Sequence, residues 1–169
     1  MHGNLEYLSY PFLYEHKNIV DFELLTDEIA SYLALAMSVC EDETLKKELQ
    51  KIATLVYHLN PCIRKDSRLE VYEVAWLFSR YTHYEEQTTD RPTLFVLPAG
   101  TTLASVLHIL RCKSKQLVRV LHHIYENKIE IDDSIFDFTN VLANYFFVVA
   151  IHANKLEGVS EIPFSSRVY

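Results

Sequence analysis

Apolar residues recur at helical spacing along nearly the whole chain, and five helices are predicted from that period. Ile29, Leu33, Ala36 and Met37 share one stripe and predict a helix over 26–40. Thr26 is read as its N-cap, and Asp27 and Glu28 suit the positive end of the helix dipole. A second helix is predicted over 42–59, ending ahead of Pro61. A third begins at Ser67, where Ser67-Arg68-Leu69-Glu70 reads as a capping box, and reaches Glu86 through Val71, Val74, Leu77, Phe78 and Tyr81. A fourth is capped by Thr101 or Thr102 and runs to about Asn127. Its Leu103, Leu107, Leu110, Leu117, Leu121 and Ile124 keep the near-heptad spacing of bundle helices. A fifth is predicted from Asp133 to Gly158, with the glycine as its C-terminal cap.

Two features disturb this regular pattern. Ile135, Phe138, Leu142, Tyr145, Phe146, Val149 and Leu156 form the main face of the last helix, yet Phe136, Val141, Phe147 and Val148 are apolar on its other sides. A helix apolar all round is buried all round, so an oligomer is expected. The second feature is the only glycine between Gly3 and Gly158. A short apolar run, Leu94 to Leu97, meets Pro98-Ala99-Gly100, which turns the chain into the fourth helix. That helix carries Arg111, Lys115 and Arg119 on one ridge.

Composition narrows the possibilities. A chain of 169 residues suits one domain, 1–169, with a sizeable core. No linker, repeat or low-complexity tract divides it. The apolar runs read as too short to span a bilayer, and the first residues lack the basic start and apolar block of a secretory signal. Three cysteines, Cys40, Cys62 and Cys112, without close spacing point to a reduced, cytoplasmic setting. A net charge of −7 argues against general nucleic-acid binding and leaves room for a local basic site. His108, His122 and His123 lack a cysteine or carboxylate at matching spacing, so no metal site is expected.

The motifs carry a resemblance. Phe95-Val96-Leu97-Pro98-Ala99-Gly100, then Leu107-His108-Ile109-Leu110-Arg111, then the stretch 138–164 ending in Glu157-Gly158-Val159-Ser160-Glu161-Ile162-Pro163-Phe164, resemble the ATP:cob(I)alamin adenosyltransferases of the propanediol-utilisation type. Thr26-Asp27-Glu28-Ile29-Ala30-Ser31 is similar to a segment of that family's first bundle helix. The resemblance implies an all-α, ferritin-like five-helix bundle, a homotrimer with active sites between subunits, and cobalamin and Mg-ATP as the molecules bound. It implies that Phe95 sits under the corrin ring, in the space of the displaced lower ligand. It also implies that Asp27 and Arg111 form an ion pair between subunits.

The nucleotide side departs from the family pattern. The family's glycine-rich N-terminal segment wraps the triphosphate, because backbone N–H groups approach phosphates closely only where side chains are absent. Here no glycine occurs from Asn4 to Ala99, and Lys17 matches a family lysine only with a gap. In the family's double-arginine segment, Lys115 and Gln116 replace the two arginines and Val118 replaces a glutamate, while Arg119 is kept. Lysine keeps the charge and loses the planar fork. Asn140 matches the family asparagine at the nucleotide, whereas Val141 and Asn144 replace an arginine and an aspartate. Asn140 and Asn144 read equally as ligand contacts and as a buried polar pair that sets helix register. Arg111, Lys115 and Arg119 are thus the candidate catalytic groups, and Lys115, Arg119 and Asn140 the candidate nucleotide contacts. Two functions remain open: adenosyl transfer from ATP to cob(I)alamin with a degraded ATP site, or a non-catalytic trimer that binds a corrinoid or a partner, or serves structure alone.

Overall fold

The computed structural model describes residues 4–15, 18–65, 67–91 and 95–168. Lys17 and Leu94 lie outside the described residues. Six α-helices follow one another: α1 Asn18–Val39, α2 Glu43–Leu59, α3 Cys62–Lys65, α4 Val71–Gln87, α5 Thr102–Glu126 and α6 Asp133–Leu156. Five are long, and α3 is a single turn. Two short strands, β1 Phe95–Val96 and β2 Pro163–Phe164, pair antiparallel with Phe95 opposite Phe164.

The long helices form a bundle. α5 packs against α6 and α1, α4 against α6, and α2 against α1. Leu107, Leu110, Leu117 and Leu121 of α5 are fully buried against Phe138, Leu142, Tyr145 and Phe146 of α6 and Ile29 and Leu33 of α1. Capping accounts for several ends. Asp42 accepts from the backbone N–H of Thr44 and Leu45 at 2.7 and 3.0 Å, and Thr101 Oγ1 accepts from Ala104 N at 3.1 Å. Gly158 closes α6 with a left-handed φ of +67°, which an L side chain disfavours.

Three boundary and face assignments differ from the sequence reading. α1 begins two turns before Thr26, which is buried mid-helix and donates to Glu23 O at 2.8 Å. The extra turns form because Glu23, a polar interruption in sequence, is buried beside Arg64, whose Nη2 donates to Glu23 Oε2 at 3.0 Å. Tyr10 adds a second donor to the same carboxylate at 2.7 Å. α4 starts at Val71 rather than at Ser67, and Glu70 N donates to Glu73 Oε2 at 2.9 Å. Leu69 is drawn into the core instead of continuing a helical turn. Val71 and Phe78 face outward, since α4 packs mainly on α6 and buries Leu77 and Tyr84.

α6 also corrects the membrane reading: by length and composition it is long and apolar enough to cross a bilayer. Its place in the bundle explains that composition, because most of it is buried among other helices. Val148 is buried, whereas Phe136, Val141 and Phe147 are only half-covered and Leu156 is exposed.

One polar knot lies inside the bundle. Glu48 of α2 is buried, pairs with Arg80 Nη2 of α4 at 2.8 Å, and accepts from the hydroxyls of Tyr84 at 3.1 Å and Tyr145 at 3.3 Å. Burial and the Glu48 charge push the Tyr84 phenol up to about 12.

Candidate functional site

A cleft of about 930 Å³ opens where α4, β1, α5 and α6 meet. Phe95 and Val96 come from β1, Arg111 and Lys115 from α5, Asn144 and Phe147 from α6, and Glu85, Glu86 and Arg91 from the end of α4 and the turn beyond it. The helical period explains the grouping: Arg111 and Lys115 are one turn apart on α5, and Asn144 and Phe147 nearly one turn apart on α6.

The cations are arranged around an aromatic ring. The guanidinium of Arg111 lies 5.6 Å from the centre of Phe147 and that of Arg91 lies 6.0 Å from it. Both distances fall within cation–π range. Arg111 Nε is buried and has no hydrogen-bond partner among the described residues. Arg91 is steadied by Thr88 Oγ1, which accepts from its Nη1 at 3.2 Å, and by Glu85 at 3.5 Å. Lys155 ties the turn before it to α6, donating to Gln87 O at 3.0 Å and to both oxygens of Asp90 at 2.9 Å. His108 lies one turn before Arg111. It is buried, and neither ring nitrogen has a hydrogen-bond partner among the described residues. Burial, with Arg111 nearby, brings its pKa down to about 4.

Phe95 is 68% exposed and presents its ring at the cleft rim. Because cross-strand partners project from the same face of a ribbon, Phe164 stands beside it. Leu97 and Ile162, one alternation away on each strand, are also exposed, so an apolar surface adjoins the cationic cleft.

The structure brings only some of the sequence candidates together. Phe95, Arg111 and Lys115 share the cleft. Arg119 is exposed further along α5. Asn140 lines a different groove of about 700 Å³, with Val71, Val74, Phe78 and Val141, and its Nδ2 donates to Phe136 O at 2.9 Å. Asn140 and Asn144 are both exposed in the subunit, against the buried-pair reading: Asn144 opens onto the cleft and Asn140 onto the groove beside α4. Asp27 is exposed on α1 and accepts from Tyr57 Oη at 2.7 Å, so it does not meet Arg111 within one subunit. Its neighbour Glu28 pairs with Lys113 at 2.7 Å. The histidines diverge. His122 packs on Phe136 and His123 contacts Glu126 at 3.3 Å, and among the described residues no cluster of metal-ligating side chains forms.

Sequence reading missed Arg91, Glu85 and Asn154. Arg91 reaches the cleft through the turn after α4 and Glu85 from the last turn of α4 itself, and neither segment carries a motif. Asn154 did have a signal: it is an amide inside an apolar run of α6, and it lies fully buried against Gly100.

The family model for cobalamin adenosyltransferase matches residues 15–153. The chain belongs to the cobalamin adenosyltransferase family. The corrinoid adenosyltransferase of Bacillus subtilis is 28% identical over 149 residues, covering 82% of this chain and 75% of that protein. The human corrinoid adenosyltransferase is 26% identical over 148 residues, covering 80% of this chain and 59% of that protein. Among solved structures, a variant PduO-type ATP:corrinoid adenosyltransferase from Lactobacillus reuteri, complexed with cobalamin and ATP, superposes with a TM-score of 0.78 at 25% identity. The match covers 91% of this chain and 87% of that one. A second variant of that PduO-type enzyme, with arginine changed to lysine and complexed with ATP, gives a TM-score of 0.77 at 26% identity, covering 90% of each chain. The helical bundle expected from the motifs is therefore the fold of this family.

Proposed function

We propose that the protein transfers the adenosyl group of ATP to the cobalt of a reduced corrinoid. The observation that carries this reading is the junction of the apolar surface at Phe95 and Phe164 with a cleft holding Arg91, Arg111 and Lys115. The apolar surface suits the underside of a corrin macrocycle, and the cations suit a triphosphate. In the reaction, the cob(I)alamin cobalt supplies the electron pair that forms the Co–C5′ bond. The C5′–O bond of ATP breaks, and triphosphate leaves with that bond's electrons. The protein supplies no nucleophile; its task is to align the two substrates and neutralise the leaving group. Phe95 supports the corrin face. Lys115 and Arg111 act on the phosphates, joined by Arg119 and Asn140 where a second copy closes the site. Arg111 pairs there with Asp27 of the neighbouring subunit, which supplies the partner that its buried Nε lacks among the described residues of one chain. The half-covered Val141 and Phe147 favour the same homotrimeric assembly. Three cysteines without disulfides suit the cytoplasm.

Spacing supports the role of Lys115. In the Lactobacillus reuteri variants the altered phenylalanine and the altered arginine lie twenty positions apart. Phe95 and Lys115 are also twenty positions apart. The variant of that enzyme with lysine at the second position is complexed with ATP. A natural lysine here therefore fits retained ATP binding. The absence of glycine from Asn4 to Ala99, together with Gln116 and Val118, favours a second reading, a corrinoid-binding trimer without turnover. Calorimetric titration with Mg-ATP and an adenosylation assay with chemically reduced cobalamin separate the two. Turnover with ATP affinity weaker than micromolar is the expected result. Cobalamin uptake without ATP binding or product selects the second reading.

A further inference from the structure

We infer that Asn154 is a positioning residue for the corrinoid side of the cleft. The inference rests on the function proposed above. Its amide uses both ends. Oδ1 accepts from Thr101 N at 2.9 Å, while Nδ2 donates to Ala99 O at 3.0 Å and to Glu161 Oε1 at 2.8 Å. Its backbone carbonyl accepts from Val159 N at 2.9 Å. One buried side chain thus fastens three pieces to the end of α6: the turn after β1, the first residues of α5 and the tail that leads into β2.

Both aromatic rings of the apolar surface depend on those pieces. Phe95 lies on the strand that enters the turn, and Phe164 on the strand that leaves the tail. Leu97 N donates to Ile162 O at 2.9 Å, joining the two between the clamp and the rings. A strand pair of two residues each has little stability of its own, so the clamp sets where the rings stand. This also explains the isolated glycine. Gly100 has φ +128°, and a Cβ there would lie 2.0 Å from Asn154 Oδ1 and 2.3 Å from Nδ2. No side chain fits at this position while the amide is in place. Asparagine is the residue that can do this, since an aspartate lacks the donor and would oppose Glu161.

The test uses the full chain with N154A, N154D and G100A. Cobalamin is titrated by absorbance, Mg-ATP by calorimetry, and amide hydrogen exchange is followed by mass spectrometry. Each variant is expected to bind cobalamin about tenfold more weakly or worse, with Mg-ATP affinity held within about twofold. Exchange is expected to rise over 95–101 and 160–164 and to stay unchanged in α1 and α2. Unchanged cobalamin affinity overturns the inference, as does a parallel fall for both ligands that tracks lost thermal stability. If the wild-type protein takes up no cobalamin, the proposed function fails. The exchange arm then decides alone, and unaltered protection in N154A overturns the clamp.

Discussion

His108 provides a test of how the cleft wall is built. The ring is 3% exposed, and neither nitrogen has a hydrogen-bond partner among the described residues. It sits against Phe147, with the Arg111 charge one turn away, and its pKa falls from 6.5 to about 4. The sign follows from linkage. Above pH 6.5 the imidazole is neutral in both the folded and the unfolded chain, and the full stability is present. As pH falls from 6.5 to 4, the unfolded chain takes up a proton that the folded chain refuses, so stability is lost across that window. Below pH 4 both states are protonated and this group causes no further loss. The interval from 6.5 to about 4 corresponds to about 3 kcal/mol. His108→Leu keeps a similar volume and removes the titration. It also removes two unsatisfied polar atoms, so at pH 8 the variant is expected to be more stable by about 1–3 kcal/mol. The assay is urea unfolding followed by circular dichroism from pH 8 to pH 4, at fixed protein concentration because assembly contributes to stability. The quantity read is the difference between wild type and variant, since carboxylates titrate in both. That difference should widen by about 3 kcal/mol between pH 6.5 and pH 4. A constant difference refutes the reasoning and means that the ring nitrogens are satisfied in the assembled protein.

Three further outcomes are expected. Glu48→Ala leaves Arg80 and the hydroxyls of Tyr84 and Tyr145 without their shared acceptor, and should cost about 3–5 kcal/mol in denaturant unfolding; a loss below about 1 kcal/mol means water replaces the carboxylate. Asp27→Ala should make the assembly dissociate at protein concentrations about tenfold higher or more, as read by analytical ultracentrifugation; identical dissociation in wild type and variant removes the proposed pair with Arg111. Lys115→Ala should weaken Mg-ATP binding about tenfold while leaving cobalamin uptake intact, and an unchanged calorimetric affinity takes Lys115 out of the nucleotide site.

Local rules made much of the fold legible. The stripes on α1 and α5, the cap at Thr101 and the stop at Gly158 depend on periodicity and on a few side chains acting on their own helix ends. The motif around Phe95 and Arg111 likewise indicated the family before any packing was known. Charge in the interior was not legible. Glu23 falls outside the helix predicted from Thr26, yet Arg64, forty-one residues away, makes it part of the helix's buried face. Glu48 carries no local mark that it will gather Arg80, Tyr84 and Tyr145 from two other helices.

The opposite error occurred on α6 and α4. Apolar residues there predicted burial, but Leu156, Val71 and Phe78 are exposed, because a helix covers only the faces its neighbours reach. Glycine at position 100 shows the division most clearly. The sequence alone determined that a turn and a helix start belong there, from Pro98, Gly100 and Thr101. Only the tertiary structure decided why the residue has no side chain. An asparagine from the far end of α6 occupies the space a Cβ would take, and its hydrogen bonds hold the turn. Backbone preference is written within a few neighbouring residues, whereas a steric exclusion between positions 100 and 154 exists only once the chain has folded.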